Sequence, residues 1–134
     1  MTDTTVRERN KQLVRQFVTT MVNERNPEEA AELIGDRYIS HAHGVADGRE
    51  AFIASLHESF LDPFPHAHVD IKRLIAEDDL VVCHSHLVLD PTDPDDRGSA
   101  QFDMLRVDAT GIVEHWVAWT AIPDTDPVNT NTMF

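Results

Sequence analysis

Apolar residues at Val6, Leu13, Val14, Phe17, Val18, Met21 and Val22 recur at helical spacing, the stripe of an amphipathic helix from about Thr5 to Asn23. Asn26, Pro27, Glu28 and Glu29 follow as an N-cap, a proline suited to the first turn, and two acids at the positive end of the helix dipole. A short second helix is expected there, with Gly35 as its stop. Tyr38 to His41 reads as an extended piece leading into a loop. Asp47 and Glu50 have the spacing of a capping box, and Phe52, Ile53, Leu56 and Phe60 give the buried stripe of a third helix, ended by Pro63 and Pro65.

Beyond this point the period changes to two. Val69, Ile71, Arg73 and Ile75 alternate with His68, Asp70, Lys72 and Leu74, and Glu77-Asp78-Asp79 turns the chain into a second strand from Leu80 to Leu89. An acidic, proline-broken loop, Asp90 to Gly98, leads to strands near Ser99 to Asp108 and Ile112 to Ile122. Helices followed by a meander predict an α+β fold, with three N-terminal helices on one face of a curved antiparallel sheet. The whole chain, 1–134, reads as one domain with its core at about 5–122 and an irregular tail at 123–134.

The hairpin Asp108-Ala109-Thr110-Gly111 has the sequence of a three-residue loop with a glycine bulge. Asp108 then opposes Ile112, Leu105 opposes His115, and Asp103 opposes Val117. Directly opposed residues share a face. One face therefore carries Gln101, Asp103, Leu105 and Val107 with Val113, His115, Val117 and Trp119, which is mostly apolar with few polar groups, as a ligand cavity is. The opposite face carries Phe102, Met104, Trp116 and Ala118 with Arg106 and Glu114. A second apolar face calls for a partner, and a homodimer is expected.

The chain has 134 residues and a formal net charge of −13. This acidity disfavours nucleic acid and anionic membrane, both of which are bound mainly through Lys and Arg. A small, hydrophobic substrate is the expected partner. A single cysteine, Cys83, excludes an intrachain disulfide framework, no apolar run is long enough to span a membrane, and the first residues lack a signal-peptide core. The expected location is cytoplasmic. Eight histidines are present, six of them in three H-x-H pairs. His84 and His86 share one face of their strand, spacing that invites a histidine-bound metal as one alternative.

The segments GDRYISHAHGVADGREAFI, DLVVCHSHLVL, DMLRVDATGIVEHW and NTNTMF resemble, in this order, the SnoaL-like polyketide-cyclase and aldol-condensation family. That family lies within the nuclear transport factor 2-like superfamily, which includes ketosteroid isomerases. The resemblance implies a cone-shaped α+β barrel, usually dimeric, whose mouth admits a small hydrophobic molecule without cofactor or metal. It places His41 at the general-base position of the isomerases and Asp103 at their oxyanion-side acid, within a shared D-x-x-R pattern ending at Arg106. Val117 stands where related cyclases carry an acid, and Phe17 where isomerases carry a tyrosine.

Imidazole is tuned for proton transfer near neutral pH, so His41 is the expected base. Asp103, desolvated by its apolar neighbours, is the expected donor to an enolate oxygen, and His115 supplies or relays the proton of the missing acid. Phe17, His84, His86, Leu105, Val117 and Trp119 are the expected substrate-binding residues. The combined expectation is a cofactor-independent cyclase, isomerase or aldol-type enzyme acting on a small apolar carbonyl or polyketide-like compound. A non-catalytic binding or dimerisation module of the same fold is the alternative.

Overall fold

The computed structural model describes residues 3–134. Helices α1 (Asp3–Val22) and α2 (Pro27–Ala31) precede strand β1 (Ile34–Ser40) and helix α3 (Arg49–Leu56), which runs into a π-helical turn (His57–Leu61). Strands β2 (His68–Glu77), β3 (Leu80–Val88), β4 (Ser99–Asp108) and β5 (Gly111–Ala121) complete the chain. All five strands form one sheet in the order β1-β5-β4-β3-β2. The fold is α+β as expected, but the sheet is mixed and open. The piece at Tyr38 is the end of a strand that pairs in parallel with β5, while the other neighbours are antiparallel.

The apolar stripe of α1 is buried as its spacing requires. Val14, Phe17, Val18 and Val22 pack with Phe52, Val69, Val81 and Leu105 in one core, and each such side chain contributes roughly 1.5–3 kcal/mol on burial. The Asn26 side chain accepts from the Glu29 amide at 3.1 Å and caps α2. The expected capping box of α3 does not form. Gly48 takes the N-cap position with φ of 103°, and Asp47 accepts instead from the Ser40 backbone N–H at 2.8 Å.

Gly35 does not stop α2, which ends at Ala31; it lies inside β1. A Cβ there would come within 2.3 Å of Thr110 Oγ1 and 2.9 Å of Val113 Cγ1, so glycine lets β1 cross close against the β4–β5 hairpin. After α1 the Asn23 side chain imitates a strand neighbour. It donates to the Val69 carbonyl at 2.9 Å and accepts from the Val69 amide at 2.8 Å, tying edge strand β2 to the helix. The expected alternation of β2 breaks at a bulge between Ile71 and Arg73. Leu74 and Ala76 consequently pack on the core, and Ile75 turns outward, 59% exposed.

The β4–β5 hairpin reaches the expected register by a different route. Asp108 pairs with Gly111 rather than Ile112, across a two-residue turn, and Val107 pairs with Ile112. The extra residue sits at Val113, between that pair and Arg106–Glu114. Beyond it Leu105 opposes His115 and Asp103 opposes Val117. Gly111, with φ of 137°, makes the turn possible, because a Cβ there would sit 2.5 Å from the Leu33 carbonyl oxygen and 2.9 Å from the Gly35 nitrogen. Both neighbours are backbone. Gly111→Ala is therefore expected to lower unfolding stability by about 2 kcal/mol or more, read as a reduced urea midpoint; an unchanged midpoint would show that the turn adapts freely.

Candidate functional site

The inward faces of β4, β5 and the end of β1 meet α1 and α3 around a cavity of about 300 Å³. Met21 and Val22 of α1, Phe52 and Leu56 of α3, and Val117 and Trp119 of β5 give it apolar walls. On the sheet side of this space lies a chain of hydrogen-bonded polar groups. Tyr38 Oη lies 2.9 Å from His115 Nδ1, His115 Nε2 lies 2.7 Å from Asp103 Oδ1, and Gln101 Nε2 donates to Asp103 Oδ2 at 2.9 Å.

Strand parity assembles these groups. Asp103 and Gln101 alternate inward along β4, and His115 faces them from β5. Parallel pairing sets Ser40 beside His115 and Ile39 beside Glu114, so Tyr38 and Ser40 enter the cavity while Ile39 and His41 face the other way. Phe52 supports the Tyr38 ring edge-on at 5.5 Å between centroids.

Burial keeps the Tyr38 phenol protonated. Tyr38 is 3% exposed, and burial, reinforced by the charge of Asp103, raises its phenol well above the ordinary tyrosine value. A phenol that keeps its proton can donate it to Nδ1. With that direction, the matching tautomer of His115 carries its hydrogen on Nε2 and points it at Asp103 Oδ1. Both oxygens of Asp103 have a partner within the cavity, Oδ1 at His115 Nε2 and Oδ2 at the Gln101 amide, so the residue is placed to orient the His115 ring. Cys83, opposite Asp103 on β3, has its thiol pushed up to about 12, chiefly by burial. It stays a protonated core residue.

The expected site residues separate into two groups. Asp103, His115, Val117 and Trp119 line the cavity. His41 does not. It lies on the outer face, where its Nε2 meets Glu114 at 2.7 Å and its ring stacks on Trp116 at 4.6 Å between centroids. Arg106 grips the second oxygen of Glu114 at 2.9 Å and reaches Asp79. His41 and Arg106 together hold the Glu114 carboxyl below its usual range.

His84 and His86 also face outward, as alternation along β3 requires once Cys83 and Leu87 face in. His84 stacks on Phe102 at 4.3 Å and meets Arg73, and His86 pairs with the Arg97 carbonyl at 2.8 Å. Phe17 and Leu105 are core residues behind the wall, Phe17 stacking on Phe52 at 5.2 Å. Among the described residues no three His, Cys, Asp or Glu side chains converge to hold a metal ion. A wider depression of about 680 Å³ beside β1 and α3 is lined by charged groups such as Arg37, Arg49 and Glu50 and has no imidazole in it.

Tyr38 and Gln101 are cavity-lining polar residues that were not expected from the sequence. Gln101 already shared a face with Asp103. Tyr38 was signalled by its period-two relation to Ser40 and by the need of a buried phenol for a partner.

The SnoaL-like polyketide cyclase family profile matches residues 12–123. The chain belongs to this family. A search of curated proteins gave no match. Among solved structures, this SnoaL-like chain is similar to a candidate ketosteroid isomerase from Kribbella flavida, with TM-score 0.70, 19% identity, and coverage of 90% of this chain and 84% of that one. It is similar also to a candidate polyketide cyclase from Acidithiobacillus ferrooxidans, with TM-score 0.67, 18% identity, and coverage of 82% and 87%. A nuclear transport factor 2-like protein of unknown function from Mesorhizobium loti aligns with TM-score 0.65, 16% identity, and coverage of 86% and 93%. At these identities the likeness establishes a nuclear transport factor 2-like fold. No helix among the described residues is long and apolar enough to cross a membrane.

The raised Tyr38 phenol has a consequence for stability. Its unfolded counterpart ionises near pH 10 while the folded group does not. The stabilisation is thus complete below about pH 10 and is lost as pH rises beyond it. Tyr38→Phe is expected to cost about 1 kcal/mol at pH 7 by removing the bond to His115, yet to flatten the alkaline decline. Urea melts of both proteins from pH 7 to 11 test this, and parallel curves would contradict it.

Proposed function

We propose that this SnoaL-like protein is a cofactor-independent enzyme that moves a proton on a small, largely apolar carbonyl compound, in a cyclisation, aldol-type or isomerisation step. The observation that carries the reading is the Tyr38–His115–Asp103 chain inside an apolar cavity. His115 takes the place of His41 as the base, since His41 lies on the outer face.

The substrate proton passes to the Tyr38 oxygen as the phenolic proton passes to His115 Nδ1. The imidazolium so formed is held by the Asp103 carboxylate through Nε2–H. A phenolate does not accumulate, because burial disfavours it, so the two transfers are coupled. The Gln101 amide uses one hydrogen on Asp103 and has a second for the developing enolate oxygen. Reversal of the chain returns the proton at a different atom of the substrate. Low local polarity strengthens each of these bonds.

Phe102 and Ile75 are 51% and 59% exposed on the outer face, which supports a homodimer formed across it. The single buried thiol of Cys83 fits a reducing compartment such as the cytoplasm.

Exchange of the α-protons of 1-tetralone in D2O, followed by NMR, tests the reading. The protein is expected to accelerate exchange, His115→Ala to reduce it by about 10²-fold or more, Asp103→Asn and Tyr38→Phe to reduce it strongly, and His41→Ala to leave it within about two-fold. Acceleration that survives His115→Ala would overturn the assignment of the base. Tight binding without exchange in the unaltered protein would make it a binding module.

A further inference from the structure

The polar chain occupies the sheet side of the cavity, and the helical side carries polar groups of its own. Ser55 of α3 and Ser59 of the π-helical turn are four residues apart and line the same space as Leu56 and Phe60. Neither serine hydroxyl has a hydrogen-bond partner among the described residues, whereas Tyr38, Gln101, Asp103 and His115 are all engaged with one another. Ser55 is half-buried and Ser59 exposed, so both hydroxyls lie toward the open rim of the cavity and reach water while it is empty. A ligand that covers them without offering a hydrogen bond takes that water away and returns nothing, which disfavours a wholly apolar ligand end there.

The wall that carries them is fixed. The π-helical turn is closed by the Asp62 amide donating to the His57 carbonyl at 3.0 Å, and π-helical turns recur at functional sites. The carbonyls at its end are held by Arg25, whose guanidinium donates to Leu61 O at 2.6 Å and to Phe64 O at 3.1 Å. Arg25 itself has φ of 55°, so the chain turns sharply after α1 to place it. A wall pinned from outside the cavity positions hydroxyls well enough to discriminate between ligands.

We infer that Ser55 and Ser59 form a specificity pole that reads a hydroxyl or keto oxygen on the end of the substrate remote from the carbonyl at Tyr38 and His115. This rests on the reading of the cavity as the substrate site. At interior packing density, about three-quarters of the space is filled by a ligand, which for a cavity of about 300 Å³ is the bulk of two or three fused rings. The substrate is then a compact ring compound oxygenated at both ends. A serine hydroxyl both donates and accepts, so the pole takes an alcohol, a phenol or a ketone alike.

The experiment compares 1-tetralone with 6-hydroxy-1-tetralone, which differ only in a hydroxyl remote from the ketone. Dissociation constants are measured by calorimetry on the unaltered protein and on the Ser55→Ala/Ser59→Ala double variant. The hydroxylated ketone is expected to bind about 10-fold more tightly to the unaltered protein, an advantage that falls to about two-fold or less in the double variant. Alanine is a strong helix former, so the variant should fold, and circular dichroism checks that it does. Equal binding of the two ketones by the unaltered protein, an advantage that persists in the double variant, or binding of neither ketone overturns the inference. Discrimination without α-proton exchange leaves the specificity pole standing and overturns the proposed proton transfer, so the two failures are distinct.

Discussion

The site depends on one backbone arrangement, the parallel pairing of β1 with β5. Ser40 lies beside His115, and the ladder extends one residue further, where the His41 amide donates to the His115 carbonyl at 2.8 Å. This pairing decides which side chains of β1 enter the cavity. A slip of one residue would exchange the inward pair, Tyr38 and Ser40, for Ile39 and His41. The phenol would then leave the imidazole, and a histidine already matched to Glu114 and Trp116 on the outer face would be driven into an apolar space. Gly35 and Gly111 permit the close crossing on which the pairing relies, since a Cβ at either position would collide with the opposite segment.

The two faces of the sheet use charge differently. On the inside, the polar groups of the sheet wall, Tyr38, His115, Asp103 and Gln101, answer one another, in a setting where burial raises the Tyr38 phenol and strengthens every bond in the chain. On the outside, Glu114 is shared between His41 and Arg106, and Trp116 lies between the His41 ring and the Arg106 guanidinium, whose centre is 5.7 Å from the indole. This outer network is open to solvent and suits a structural role. The histidine that resembles a catalytic base by its place in a family pattern is thus occupied in bracing the sheet, and the histidine that faces the cavity is the one on β5.

Much of the architecture was legible in the chain. The spacing of Val14, Phe17, Val18 and Val22 gave the buried face of α1, and period-two alternation gave the faces of β4 and β5, hence the meeting of Asp103, His115, Val117 and Trp119. What escaped depends on nonlocal backbone events. The bulge in β2 reverses the direction of Ile75, and no residue near Lys72 announces it. Asp47 caps no helix because the Ser40 amide, brought near by the fold, competes for its carboxylate. The extra residue at Val113 replaced the expected bulge in the turn, yet the register beyond was the same, because either device adds one residue to β5. His41 was misplaced for a simpler reason: the segment from Tyr38 had no assigned neighbour, and without one its parity had no reference.

The direction of the hydrogen bonds around His115 is the most direct test of the account. Nitrogen-15 NMR of histidine-labelled protein, with His115 assigned through the spectrum of His115→Ala, distinguishes the protonated ring nitrogen from the bare one. The expected result is hydrogen on Nε2 and a lone pair on Nδ1, whose resonance shifts when Tyr38→Phe removes its donor. Hydrogen on Nδ1, or a spectrum indifferent to the loss of the phenol, would contradict it.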